Sequence, residues 1–382
     1  MVAIDSYAGG DGRLSPLSTP SATRAVLEAH GIGTKYTLGQ NFLVNDDVLK
    51  KIVALAEVGE NDRILEVGPG IGTLTIALLK HAASVIAIER DPDLPAVLAD
   101  TLHPWREKFA LIEKDALDVT RDDIVSVAST MVEPGGDAGC LDRARSAANE
   151  TAQWAVSQSE DCLSESRYRV AVPQEELRPS LPSKLVANLP YAVAATVVLD
   201  YFESFPFLDS ATIMVQKEVA DRMAAAVGTK NYGAYTVKLG LYVEPAGRFA
   251  VGPGNFFPPP RVDSAVIRLN RRVPLMADGA PASPEVIAAA ALMADAAFTN
   301  RRKTIANSCK TYFSGRGPIS LGAGPSAQEG APGIVLPDGA AIAERLAAIF
   351  DAATIDPRRR GETLTQQEFL ALGAALLKVT AA

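Results

Sequence analysis

Arg63-Ile64-Leu65-Glu66-Val67-Gly68-Pro69-Gly70-Ile71-Gly72-Thr73 decides how this chain is read. A short apolar run, a cluster of glycines, and apolar residues at helical spacing from Thr73 to Lys80 make a strand–turn–helix unit. Glycines let a backbone approach a ligand closely, and the helix that follows opens with unpaired N–H groups. A dinucleotide fold requires G-x-G-x-x-G, because its third glycine permits tight packing of helix on strand. Here the third glycine falls one residue early, at Gly72, and Thr73 occupies the expected place. That disfavours a nucleotide-dependent oxidoreductase; a purely structural glycine turn stays open.

Outward from this unit, strands and helices alternate. SVIAIE, FALIEKDAL, KLVANLPY and ATIMVQKE read as further strands, with helical spacing over Asp46–Leu55 and Pro92–Leu102. Such alternation predicts an α/β fold, a parallel sheet covered on both faces. RFAVGPGNFF and SAVIRLN, separated by PPPRVD, read as a late β-hairpin. Beyond Arg271 only helical patterns occur: Glu285–Phe298, a basic segment to Phe313, Ala340–Ala352 and Leu364–Thr380. The predicted plan is an extension over 1–30 that is poorly ordered, with STPSAT marking the start of order. An α/β domain over 31–270 and a small C-terminal all-helical domain over 271–382 follow.

At 382 residues the chain is too long for one ordinary core, which supports that division. Apolar residues at 48% and charged residues at 21% exclude disorder throughout. The richest apolar stretch, Ala192–Phe202, is broken by Asp200 and is too short to cross a membrane, which takes about 18 apolar residues. The start has acids and glycines where a secretion signal has bases and an apolar core, so a cytoplasmic protein is expected. Cys140, Cys162 and Cys309 have no metal-ligand spacing, and no metal is expected. The net charge of −8 argues against a surface coated in bases, but charge is unevenly placed. Arg121–Pro182 holds 11 acids and 6 bases and has loop composition, so 121–182 reads as an acidic surface insertion. Arg271–Arg316 holds 7 bases and 3 acids, a basic patch or simply a solvated helix face. The Gly/Pro stretch over 314–339 reads as a loop insertion.

Ligands of open parallel sheets bind at the carboxyl ends of the strands. Glu89 ends the second strand about twenty residues after the glycines, where a carboxylate accepts from ribose hydroxyls. Asp115, after the third, is placed to accept from an adenine amino group. The spacing G-x-G-x-G preceded by Glu66 resembles motif I of S-adenosylmethionine-dependent methyltransferases. Asn188-Leu189-Pro190-Tyr191, ending the fourth strand, resembles the [DNS]-[LP]-P-[YF] motif of methyltransferases that act on exocyclic amines. The chemistry accounts for those residue types. An adenine N6 lone pair is delocalised into the ring and is a poor nucleophile. The Asn188 amide oxygen and the Leu189 carbonyl can accept its N–H bonds and favour a pyramidal nitrogen. Pro190 fixes the turn, and Tyr191 can stack on an extruded base.

With these residues quoted, GQNFLVNDDVLKKIV, EVGPGIGTLT, KLVANLPY, VQKEVADRM, NYGAYTV, FFPPPRVDSAV, AFTNRRKTIANS and IDPRRRGETLTQQEFLAL together resemble the ribosomal RNA adenine dimethyltransferase family. The likeness is to its housekeeping branch, which modifies two adjacent adenines near the 3′ end of small-subunit 16S rRNA. It covers roughly 35–120 and 183–313. The resemblance implies a Rossmann-like methyltransferase sheet, S-adenosyl-L-methionine as cofactor, and the small ribosomal subunit as partner of a monomeric enzyme. By position it implies cofactor contacts at Asn41, Leu43, Gly68, Gly70, Glu89, Asp115 and Asn188, and a second base-flanking aromatic at Phe256. Arg301, Arg302 and Lys303 are the candidate RNA contacts, with Lys217, Arg222 and Lys230 weaker candidates for the same surface. A resistance-type enzyme acting on large-subunit rRNA and a non-catalytic subunit-assembly factor are the alternative readings.

Overall fold

The computed structural model describes residues 12–33, 40–131, 180–317 and 340–381. The helix α1 (Pro20–Ala29) precedes a two-residue strand β1 (Phe42–Leu43), the helix α2 (Asp46–Ala56) and the strand β2 (Arg63–Val67). Strand and helix then alternate through α3 (Thr73–Leu79), β3 (Ser84–Glu89), α4 (Leu94–Thr101), β4 (Phe109–Glu113), α5 (Arg121–Thr130), β5 (Lys184–Asn188), α6 (Ala194–Ser204) and β6 (Ser210–Gln216). Two short helices, α7 (Lys217–Met223) and α8 (Ala234–Gly240), lead into β7 (Val243–Val251), β8 (Phe256–Phe257) and β9 (Ser264–Arg271). The remainder is helical: α9 (Pro284–Phe298), α10 (Ile305–Phe313), α11 (Ala340–Ala352) and α12 (Gln366–Ala381).

Seven strands form one sheet in the order β4-β3-β2-β5-β6-β9-β7. The first five are parallel, and β9 runs antiparallel to both β6 and β7. Burial on both faces explains why these strands are near-continuous apolar runs. Ile64 and Val85 face a layer built from α2, α3 and α4, through Leu49, Ile52, Ile76 and Val97. Leu65, Ile86 and Leu185 face the opposite layer, with Ile124 of α5 and Val197 and Phe202 of α6. Each such aliphatic side chain contributes about 1.5–3 kcal/mol on burial. Chain order reverses between β2 and β5, which opens a crevice at the strands' carboxyl ends.

A third core joins the C-terminal helices, and it takes Tyr232, Val237 and Leu241 from before residue 270. The Tyr232 hydroxyl donates to the Leu364 carbonyl at 2.8 Å, which ties the segment before α8 to the segment before α12. Gly373 is where α12 crosses α9: a Cβ there would lie 2.6 Å from both Ala290 N and Val286 O. Only glycine permits that approach.

The structure corrects two expectations of order. Within the extension expected to be poorly ordered, Pro20–Ala29 is a helix, capped by Thr19, whose hydroxyl accepts from Ala22 N. Leu17, Val26 and Leu27 are buried, and Asp46 accepts from Leu14 N and Ser15 N at 2.8 and 3.2 Å. Apolar burial plus this carboxylate anchor hold the segment on α2. The first ten residues of the expected insertion are α5, opened by a capping box between Thr120 and Asp123 and packed through Ile124 and Ala128. The rest of that expectation, 132–179, lies outside the described residues, as do 1–11 and 318–339.

Candidate active site

The crevice is a cavity of about 550 Å³ at the carboxyl ends of β2, β3 and β5. Asn41, Leu43, Gly68, Gly70, Glu89, Asp115, Asn188, Leu189, Pro190 and Tyr191 all line it. Phe256, the expected second base-flanking aromatic, does not. It is 3% exposed, pairs with Leu43 across the β1–β8 ribbon, and packs in the core beneath the crevice. Its ribbon partner Leu43 does line the crevice, so burial among the apolar side chains of that core, not strand register, keeps this ring from the crevice wall.

The glycine turn is held by close contacts on both sides. Gly68, Gly70 and Gly72 have φ of 69°, 60° and 88°, a region L side chains rarely enter. A Cβ on Gly70 would also meet the Phe42 ring at 3.2 Å. Gly68 N donates to Ile88 O at 2.9 Å, so the turn starts as a direct continuation of the sheet ladder.

The catalytic turn is positioned from two elements. Leu189 N donates to Met214 O at 3.1 Å, and the Leu189 carbonyl has no backbone partner among the described residues. The Asn188 side-chain N–H donates to the Asn41 carbonyl at 3.2 Å. With its amide nitrogen so engaged, Asn188 has its oxygen available as an acceptor. The Tyr191 hydroxyl shares a 2.5 Å hydrogen bond with Ser264 of β9, which fixes the ring at the crevice rim. Burial pushes the Tyr191 phenol up, so it stays neutral.

Carboxylates dominate the opposite wall. Glu89 is buried, and its Oε1 accepts from Arg90 N and Asp91 N, each at 2.9 Å. Burial nonetheless raises its proton affinity. Asp115 accepts from Leu117 N at 3.1 Å and from the Arg90 guanidinium at 2.8 Å. Those donors hold it below the usual carboxylate range. Gln40 donates to Asp91 at 2.7 Å, tying the segment before β1 to the loop after β3.

The expected RNA contacts divide. Arg301 lines a second, more open cavity of about 1150 Å³ with Lys217, Arg222 and Lys230. Arg302 and Lys303 are exposed in the turn between α9 and α10 and do not line it. Acids are interleaved there: Lys217 and Arg248 pair with Asp221, Arg222 with Glu218, and Arg301 with Glu362 at 2.9 Å. Gln216 lines both cavities, so the crevice and the groove meet at the end of β6. Sequence reading passed over Gln216 and Arg90, although the rule that ligands sit at strand ends points to both.

This fold and this site define a class of protein, and comparison with known sequences gives the family. A model of ribosomal RNA adenine dimethylase matches residues 33–317. A "Ribosomal RNA small subunit methyltransferase A" from Geobacillus sp. (strain WCH70) is 33% identical over 363 residues, covering 95% of this chain and 98% of the relative. A protein of the same name from Staphylococcus aureus (strain Newman) is 31% identical, with 93% and 94% covered. A crystal structure of a dimethyladenosine transferase from Plasmodium falciparum shares the fold, with TM-score 0.56 at 19% identity over 88% of this chain and 98% of that one. The chain belongs to the ribosomal RNA adenine dimethylase family.

Proposed function

We propose that this protein is an S-adenosylmethionine-dependent rRNA adenine N6,N6-dimethyltransferase acting in the cytoplasm. Its substrate is two adjacent adenosines near the 3′ end of 16S rRNA in the maturing small ribosomal subunit. The observation that carries this reading is that the glycine turn, Glu89, Asp115 and the Asn188–Tyr191 turn line one crevice. The relatives' printed name supplies the small subunit.

The crevice suits the cofactor on its own chemistry. Its walls carry the acids Glu66, Glu89 and Asp115, which favour a cationic ligand because an opposite charge brought among them stabilises their ionised forms. Glu89 is the ribose acceptor and Asp115 the acceptor of the adenine amino group; Asn41 and Leu43 close the methionine end. When bound, the cofactor supplies an electrophilic methyl group on a sulfonium. Asn188 Oδ1 and the Leu189 carbonyl accept the N–H bonds of the target amine and turn its lone pair outward. Tyr191 offers a face to the extruded base, a contact worth about 1–3 kcal/mol. No base need act before attack, because the nitrogen becomes acidic once it carries the new methyl group. A loop or single-stranded adenine is the reachable substrate, since a paired base must first unstack. Arg301, Arg302, Lys303 and Lys230 contact phosphates at this stage.

Radiolabelled methyl transfer to purified, undermethylated small subunits tests the reading. Label is expected in dimethyladenosine at two neighbouring positions of 16S rRNA. Label confined to large-subunit RNA, or absent from both, overturns it.

A further inference from the structure

One buried carboxyl group in the crevice wall takes no part in the contacts above. Glu66, near the end of β2, is 1% exposed and lines the cavity, yet its Oε2 has no hydrogen-bond partner among the described residues. Strand register puts it on the same sheet face as Glu89 of β3 and Asn188 of β5. From α3, Thr73 lines the same cavity and Thr75 acts on the carboxyl, the buried hydroxyls of both being without partners among the described residues, and β1 contributes Phe42 and Leu43. The charged side chain acting on it is another carboxylate, Glu89. The cations of the same cavity, Arg90 and Lys114, are held by Asp115 and Asp123.

Burial therefore pushes the Glu66 carboxyl up to about 8. The Thr75 hydroxyl lies close enough to offset part of this without reaching standard hydrogen-bond geometry, and Glu89 adds to it. A fixed positive charge brought into the cavity reverses the balance, since an opposite charge nearby favours the ionised acid.

We propose that Glu66 is the proton-linked counter-charge of the crevice, distinguishing the cationic methyl donor from its neutral product. The inference rests on the S-adenosylmethionine reading. With the crevice empty, Glu66 holds a proton; when the donor binds, that proton passes to solvent and the carboxylate faces a cation. Methyl transfer breaks the sulfur–carbon bond and forms a nitrogen–carbon bond, leaving a neutral thioether. The methylated amine loses its own proton to solvent, and Glu66 takes one back from solvent. The retained product thus faces a neutral acid and lacks the attraction that held the donor. Dimethylation of two adenosines requires repeated exchange of product for donor, and this proton favours that exchange. Below pH 8 the ratio of donor to product affinity should rise with pH, by up to about tenfold per unit.

Calorimetric titration at pH 7 in two buffers of different ionisation enthalpy counts the protons. S-adenosylmethionine and S-adenosylhomocysteine are titrated into the wild type and into Glu66→Gln, which removes this proton while leaving the ligands' own amino groups to titrate equally. On donor binding the wild type should release about 0.9 proton more than the variant, and on product binding no more than the variant. Equal release by both proteins, or an equal excess with both ligands, overturns the proposal. Failure of either ligand to bind the wild type overturns the cofactor reading and the proposal with it. Should Glu66→Gln not fold, infrared difference spectra of the wild type decide. The protonated-carboxyl C=O band should vanish with donor and persist with product; a band unchanged by donor overturns the proposal.

Discussion

The crevice and the groove meet at Gln216 but are built on different principles. The crevice is walled by strand ends; Glu66 and Glu89 are buried, Asn188, Asp115 and Tyr191 half-buried, and side-chain hydrogen bonds to backbone groups and to Ser264 hold the latter four in place. The groove is walled by α7, the segment leading into α8 and the connecting segments that carry Arg301 and Glu362, and Lys217, Arg222 and Arg301 sit there in exposed pairs with acids. Exposed pairs contribute about 0–1 kcal/mol, so a phosphate can replace a carboxylate there at little cost. A half-buried amide preoriented by its own hydrogen bond has no such freedom. Chemistry that tolerates little displacement is located in the sheet, while contacts with a large and variable partner are left to the surface.

The largest expected effect breaks the crevice side of this contrast. Asn188→Ala should lower turnover on small subunits roughly 10²–10³-fold, the usual loss on removing one preorganised polar group. Donor affinity measured by calorimetry should change only a few-fold. A large affinity loss with modest change in turnover would make Asn188 a cofactor anchor rather than the group that polarises the amine.

Next comes the pH dependence of folding in the protein without ligand. The folded Glu66 carboxyl is raised from 4.5 to about 8, so the native state binds a proton that the unfolded chain gives up. Its stabilising contribution is complete below the unfolded value and is lost as pH rises through 8. Chemical denaturation of wild type against Glu66→Gln should therefore diverge by an amount on the order of 3 kcal/mol between pH 5 and 8. Parallel curves would show that Glu66 is already ionised in the empty crevice. Glu89 and Glu203 are also raised by burial, and the comparison of the two proteins removes their share.

The groove and the exposed basic turn after Arg301 should give the smallest and most salt-dependent changes. Replacing Lys230, Arg302 or Lys303 by Ala should each lower the slope of log affinity for rRNA against log salt by about 0.7–1. Donor affinity should not move. A change in donor affinity would mean that groove and crevice are energetically coupled through Gln216.

What the sequence revealed follows the same division. Gly68, Gly70 and the Asn188–Tyr191 turn were legible because backbone conformation and amine chemistry each admit few residue types. The alternation of strands and helices was legible because two-sided burial leaves near-continuous apolar runs. Glu66 was in plain view, yet nothing in the string shows that its carboxyl is fully buried and unpartnered, since that depends on α3 packing over β2. Phe256 was expected at the crevice wall, but the apolar side chains packed around it enclose it in the core, which no local motif shows. The helix α1 was obscured by the glycines before it, although Thr19, Pro20 and the pair Val26 and Leu27 carried its cap and its apolar face. The first turn of α5 was hidden in an acidic segment whose Thr120-x-x-Asp123 spacing is a capping box. The ion pairs of the groove join residues distant in sequence, such as Arg301 and Glu362, and composition could give only their net charge.

The central claim is that one crevice holds the methyl donor beside an acceptor oxygen of Asn188. A crystal structure of the protein soaked with S-adenosylmethionine tests it most directly. Electron density for the donor is expected between the Gly68–Gly70 turn and the Glu89 and Asp115 carboxylates, with Asn188 Oδ1 facing the space beside the methyl group. A crevice left empty at saturating donor, or an Asn188 amide turned away from that space, would contradict the account.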